Sequence, residues 1–298
     1  MRYTADLSPA APQTKARLTV ILVALCYSTM GAAFQFVDWN PLVITGGRSA
    51  VAFLCLAAYR RSCRIVLNRK VLAGALISLF TTTAFVIANK LTAPVNAVVL
   101  QYTNPLFVLL LCRLVLKRRL ERKETVISLC MMAGIVLFFA DKLSLGQVLG
   151  NLFGLLSGIG MACSIFYACH AKADIQEYTM LMCLISFFGG ALVALADPPC
   201  VTGSSVLAVV FLGAVGSGIS SILYSKSAPL LNSTEVSLLL MLDPILNPLW
   251  VALLTGALPG PFALLGGGIV LGCVTIQILT SPNKIKPDSP DAENARIN

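Results

Sequence analysis

Residues 96–114 read NAVVLQYTNPLFVLLLCRL, and 139 residues later residues 235–253 read EVSLLLMLDPILNPLWVAL. Each is a long apolar run that opens on a polar residue, Asn96 or Glu235. Each places a polar residue directly before a proline in mid-run, Asn104-Pro105 and Asp243-Pro244. A proline inside a helix removes one backbone hydrogen bond and pushes away the carbonyl four residues back. The carbonyls of Gln101 and Leu240 are therefore predicted to be freed. In lipid, such groups are tolerated only within protein or beside a water-filled cavity. Two broken helices at matching positions of two halves point to a binding site between the halves.

The rest of the chain makes these runs membrane spans. Its 298 residues are 57% hydrophobic and only 12% charged, against about a quarter charged in a soluble domain. That much apolar surface calls for a lipid bilayer as its surroundings. A net charge of +9 would suggest a nucleic-acid partner in a soluble chain. Here Lys and Arg fall between apolar runs and read as topology signals, so no nucleic acid is expected. The ten cysteines lie mostly inside apolar runs, where Cys acts as a small hydrophobe.

Ten spans are predicted: 18–37, 42–59, 71–89, 96–116, 125–140, 150–169, 178–196, 206–225, 235–255 and 261–280. Residues 1–16 read as a cytoplasmic tail and 281–298 as a disordered one. The first run also fits a signal peptide with small residues at 31–33, but its length favours a retained helix. With both termini in the cytoplasm, all of the 22 Lys and Arg residues lie inside except Arg48, Lys90 and Lys142. That bias sets the orientation.

The halves repeat. At the same offset as Pro105 and Pro244, Gly74 meets Gly213, Ser78 meets Ser217, Phe85 meets Tyr224 and Leu100 meets Leu239. Further on, GIVL at 134–137 recurs at 268–271. The offset shortens by five residues in one connection, which is basic KRRLERKE in the first copy and uncharged GALPG in the second. An odd number of spans per copy forces opposite orientations. The fold expected is an all-α membrane protein, ten transmembrane helices as two inverted five-helix repeats, residues 17–141 and 142–280. Inverted repeats mark alternating-access transporters.

The 5 + 5 order, QYTNPLF in span four and LLLMLDPILNPLWV in span nine resemble the EamA-type branch of the drug/metabolite transporter superfamily. The resemblance covers residues 15 to 280. It implies a bundle in which spans one to four and six to nine surround a central cavity, with five and ten at the periphery. It also implies export of a small polar solute; members move amino acids, sugars, nucleotide derivatives, amines or drugs.

Polar groups inside the bilayer are the candidate site residues, since a buried charge there costs about 3 kcal/mol or more. Asp243 and Asn247 are four apart and stack on one face. Asp243 reads as a cavity wall or proton carrier, or as a cap on the helix break. Glu235 is a second candidate for proton coupling, or a first-turn residue favoured by the helix dipole. Gln101 and Asn104 are three apart and are expected to share a cavity-facing side; Tyr102, which points elsewhere on the helix, is a further candidate for the substrate site. Arg48 is open between countering Glu235 or Asp243, binding a substrate carboxylate and snorkelling to the outer interface. Tyr27, Ser28, Thr29, Ser164 and Tyr167 are further candidates to face the cavity, or else hydroxyl packing groups. Lys90 reads as an interfacial anchor and His170, the single histidine, as an interfacial residue.

No Walker or dinucleotide glycine motif and no metal-ligand spacing occurs, so no cofactor or metal is expected. Gly154-x-x-x-Gly158 and Gly268-x-x-x-Gly272 suggest internal packing and, more weakly, a homodimer. The function expected is secondary or facilitative transport of an amino acid or amine across a bacterial inner membrane, not an enzyme. The alternatives are an intramembrane lipid-modifying enzyme, which needs clustered acid or His groups at one membrane face, and a non-transporting assembly subunit.

Overall fold

A computed structural model describes residues 11–34, 36–140, 148–255 and 260–280. It is 84% helix, and eight helices are long and apolar enough to cross a membrane among the described residues. The chain is an integral, multi-pass membrane protein. The tails 1–10 and 281–298, Lys142 and the uncharged connection at 256–259 lie outside the described residues.

The helices are α1 (Ala11–Phe34), α2 (Pro41–Arg60), α3 (Arg69–Leu91), α4 (Pro94–Gln101), α5 (Asn104–Leu114), α6 (Arg122–Phe138) and α7 (Val148–His170). They continue as α8 (Ile175–Ala196), α9 (Gly203–Gly213), α10 (Ser220–Ser227), α11 (Ser233–Leu240), α12 (Asp243–Thr255) and α13 (Pro261–Thr280). A π-helical turn, Ala214–Ile219, joins α9 to α10. Two of the ten expected spans are not among the eight long apolar helices. One is α6, 17 residues with Arg122, Lys123 and Glu124 in its first turn. The other is span nine, made up of α11 and α12. The first helix begins before the expected Leu18. It continues through Arg17 because that guanidinium meets Glu235, Nε to Oε1 at 2.6 Å, with both side chains 7% exposed.

The strongest helix packings are α3 on α7, α2 on α8, α6 on α13 and α1 on α12, with α4 and α5 on α7 and α1 on α10. Lipid supplies no hydrophobic force between helices, so close approach of small residues matters. The Cα atoms of Gly46 and Gly190 bring α2 and α8 together, and Gly134 meets Gly266 between α6 and α13; neither contact leaves room for a Cβ. Gly154 and Gly158 seat Ala97 and Leu100 of α4, whereas Gly268 and Gly272 have no heavy atom within 4 Å of a built Cβ. Outward faces are apolar: Phe188, Leu192 and Leu195 of α8 are 67, 70 and 82% exposed, as lipid contact requires.

The two ends of the bundle differ. At one end lie the ion pairs Arg17–Glu235, Arg60–Glu177, Arg60–Asp174 and Arg118–Glu124. Lys226 stands over the Tyr59 ring there, and Lys123 Nζ donates to the Thr280 carbonyl. The other end is held by neutral or mixed hydrogen bonds, among them Trp39 Nε1 to the Cys200 carbonyl at 2.7 Å and Thr92 Oγ1 to Asn151 Oδ1 at 2.9 Å. Lys90 reaches Asn40 at this second end, 3.4 Å away.

Candidate functional site

The two proline breaks have the same form. Helix α4 ends at Gln101, the chain turns through 102–103, and α5 restarts at Asn104-Pro105. Helix α11 ends at Leu240, the chain turns through 241–242, and α12 restarts at Asp243-Pro244. Each proline sits in the first turn of the restarted helix, where its missing N–H would have had no partner. The carbonyl freed by Pro105 is not left bare, because Asn104 Nδ2 donates to the Gln101 oxygen at 3.2 Å.

The breaks meet each other. Tyr102, in the turn after α4, donates its hydroxyl to Asp243 Oδ2. Ser237 of α11 donates to Asn104 Oδ1. Beside this crossing lies a cavity of about 290 Å³. Its walls come from α1, α2, α3, α7, α8, α10, the π turn and both breaks, and among the described residues none of its lining belongs to α6 or α13.

Of the residues singled out in the sequence, Tyr27, Arg48, Gln101, Tyr102, Ser164 and Asp243 line this cavity. Three expected there lie elsewhere. Asn104 is fully buried on Ser237, Gln101 and Met161 Sδ. The i, i+3 rule that paired it with Gln101 presumes one continuous helix, and the break puts the two residues in different ones. Asn247 packs on Gly31 of α1, filling the space a Cβ would take. Tyr167 donates to the Lys70 carbonyl at 2.8 Å, at the charged end. Ser28 and Thr29 are packing groups: Ser28 accepts from Trp250 Nε1 at 2.8 Å and Thr29 donates to the Cys26 carbonyl. His170 stacks on Phe166 at the end of α7. Tyr102, which a continuous helix would turn away from Gln101 and Asn104, is the direct link to span nine.

The larger omission is a hydroxyl lattice. Ser78, Thr81 and Thr82 of α3 line the cavity with Ser217, Ser221 and Tyr224, and with Tyr178, Thr179 and Ser186 of α8. Ser78 and Ser164 approach to 3.5 Å across it. The signal was present as polar residues at helical spacing within apolar runs, such as 217, 221 and 224.

The two carboxylates of span nine part company. Asp243 faces the cavity. Glu235 sits in the first turn of α11, bonded to Arg17. Arg48 is therefore not the partner of either: among the described residues it makes no ion pair, and it is the single Lys or Arg in the cavity wall. Glu235 borders a second, smaller cavity of about 80 Å³ with Arg118, Lys123, Glu124 and Gln277. In the loop after α5, burial weighs against the Arg118 charge, but the bond and charge of Glu124 outweigh it and hold the guanidinium pKa above its ordinary value.

These features define a polytopic helical membrane protein with a polar cavity at the meeting of two broken spans. Residues 14–140 match the EamA-like transporter family, in agreement with the EamA-type resemblance of the motifs. A comparison with curated proteins gives no match. One solved crystal structure, 20% identical, superposes with a TM-score of 0.79 over 90% of this chain and 97% of its own. That likeness shows a shared fold.

Proposed function

We propose that the protein is a secondary or facilitative transporter that exports a small polar metabolite, an amino acid or amine, by alternating access. The observation that carries this is the cavity at the Tyr102–Asp243 crossing. A polar chamber sits in the middle of an apolar bundle, between two spans whose helices are interrupted at matching positions. Interrupted helices beside a chamber at mid-depth suit a solute site between two halves.

The ten spans form two repeats, 17–141 and 142–280, with α6 and α13 as spans five and ten. Helix neighbours support this reading. Exchanging each span for the one five later turns the contact of spans one and nine into that of six and four, and three and six into eight and one. Spans two and seven, and five and ten, map onto themselves. All of these contacts are present. The end rich in Lys and Arg is cytoplasmic, with both termini on that side of a bacterial inner membrane. An inert assembly subunit would have no use for the chamber, and the acids that gather at one end, Glu235, Glu177, Asp174 and Glu124, are each paired with an arginine where a lipid-modifying enzyme would need them for catalysis.

Proteoliposomes test the transport and intact cells the orientation. Protein-dependent release of a loaded amino acid or amine is expected. Cysteines introduced beside Trp39 and Asp197 should react with an impermeant maleimide added outside intact cells, and one at Arg119 should not. No release of any loaded solute would sink the transporter reading; external labelling at Arg119 would reverse the orientation.

A further inference from the structure

Among the described residues the cavity holds one guanidinium, Arg48, and one carboxylate, Asp243. Their situations differ. Asp243 already accepts the Tyr102 hydroxyl. Arg48 has no ion-pair partner among the described residues, although span nine carries two acids, Glu235 and Asp243. Glu235 is spent on Arg17 instead. An uncompensated guanidinium inside a bilayer protein is costly to keep, so a protein that keeps one gains from a charge that arrives later.

We infer that Arg48 is the anchor for a carboxylate on the transported solute, which makes the substrate a small carboxylate-bearing metabolite such as an amino acid and not a simple amine. This rests on the transporter reading above. The planar fork of Arg binds a carboxylate through two parallel hydrogen bonds. A phosphate ester would bring two charges to one cation, with the Asp243 carboxylate in the same chamber. A simple amine would leave Arg48 unanswered and add a second cation beside it. A zwitterion answers both charges, its carboxylate at Arg48 and its ammonium toward Asp243 and the hydroxyls of Ser217 and Ser221. Arg48 of α2 and Asp243 of the second break both line this one small chamber. A volume of about 290 Å³ is at the small end of ligand pockets and suits a solute of amino-acid size.

The test uses liposomes loaded with an equimolar mixture of the standard amino acids and the decarboxylated amines of several of them, the contents followed by mass spectrometry. With the wild-type protein, at least one amino acid leaves, and its matching amine leaves at least about tenfold more slowly. Arg48→Gln lowers release of that amino acid by roughly 10- to 100-fold, the loss of a charge-assisted bond, and Arg48→Lys lowers it less. In detergent, the released amino acid raises the melting temperature of the wild type and not of Arg48→Gln. Without solute, Arg48→Gln melts no lower than the wild type, because the removed charge had no partner. Amines leaving as fast as amino acids would overturn the assignment while leaving the transporter reading intact. So would undiminished release by Arg48→Gln, or a lower melting temperature of that variant without solute. If neither panel moves at all, the transporter reading falls and the anchor with it.

Discussion

The breaks in spans four and nine are built alike and used differently. Both stop a helix, turn through two residues and restart on a polar residue followed by proline. At the first, Asn104 turns inward and ties its own helix break to Ser237 across the bundle. At the second, Asp243 faces the chamber and takes the hydroxyl of Tyr102. Proline placement fixes where the chain opens. Which way the flanking polar side chain turns is decided by what stands opposite, a buried serine in one case and a tyrosine at the chamber wall in the other. One break is a strut and the other, on the proposed function, a working surface.

Span nine sharpens that division within one segment, because its other acid, Glu235, belongs to the strut class. Glu235→Leu should cost about 3–5 kcal/mol of stability, since it removes the carboxylate bonded to a buried guanidinium. Arg17→Leu in the same chain should restore most of it, and chemical or thermal unfolding in detergent measures both. A single variant as stable as the parent would return Glu235 to the list of proton carriers. Asn104→Leu comes next. It leaves the Ser237 hydroxyl and the Gln101 carbonyl unpaired, at about 1–3 kcal/mol each, while release per folded molecule stays near normal. Normal stability with lost transport would make the first break a working surface as well. The smallest stability effect belongs to the second break. Tyr102→Phe should change melting by no more than about 1.5 kcal/mol yet slow release about tenfold, because it frees Asp243 from its donor. If protons drive export through Asp243, Asp243→Asn keeps exchange and loses the response to a pH gradient. An intact response in that variant would make Asp243 a structural cap.

Helix positions and both breaks were legible in the sequence, because length, hydropathy and proline act locally. The last helix runs from Pro261 to Thr280 as expected. What was hidden depends on distance. Arg17 and Glu235 are 218 residues apart, and nothing in either local pattern announces the other. Asn104 was misplaced for a different reason. A spacing rule for intact helices was carried across a point where the sequence itself says the helix stops. Asn247 was misplaced because its neighbour is a glycine on α1, whose missing side chain leaves a space that no pattern within span nine reveals.

The unequal ends of the bundle carry one more consequence. Every ion pair found among the described residues gathers at one end, and the Arg60–Asp174 pair there is partly open, with Asp174 49% exposed. Salt shields exposed charges over a distance of about 8 Å at physiological strength, but leaves neutral hydrogen bonds such as Trp39 to Cys200 almost untouched. The two faces of the membrane therefore speak to the protein in different languages. A change in ionic strength on the charged side weakens the exposed Arg60–Asp174 contact at the start of α8 while sparing the more buried Arg60–Glu177 pair beside it, and acts least on the neutral bonds of the far end.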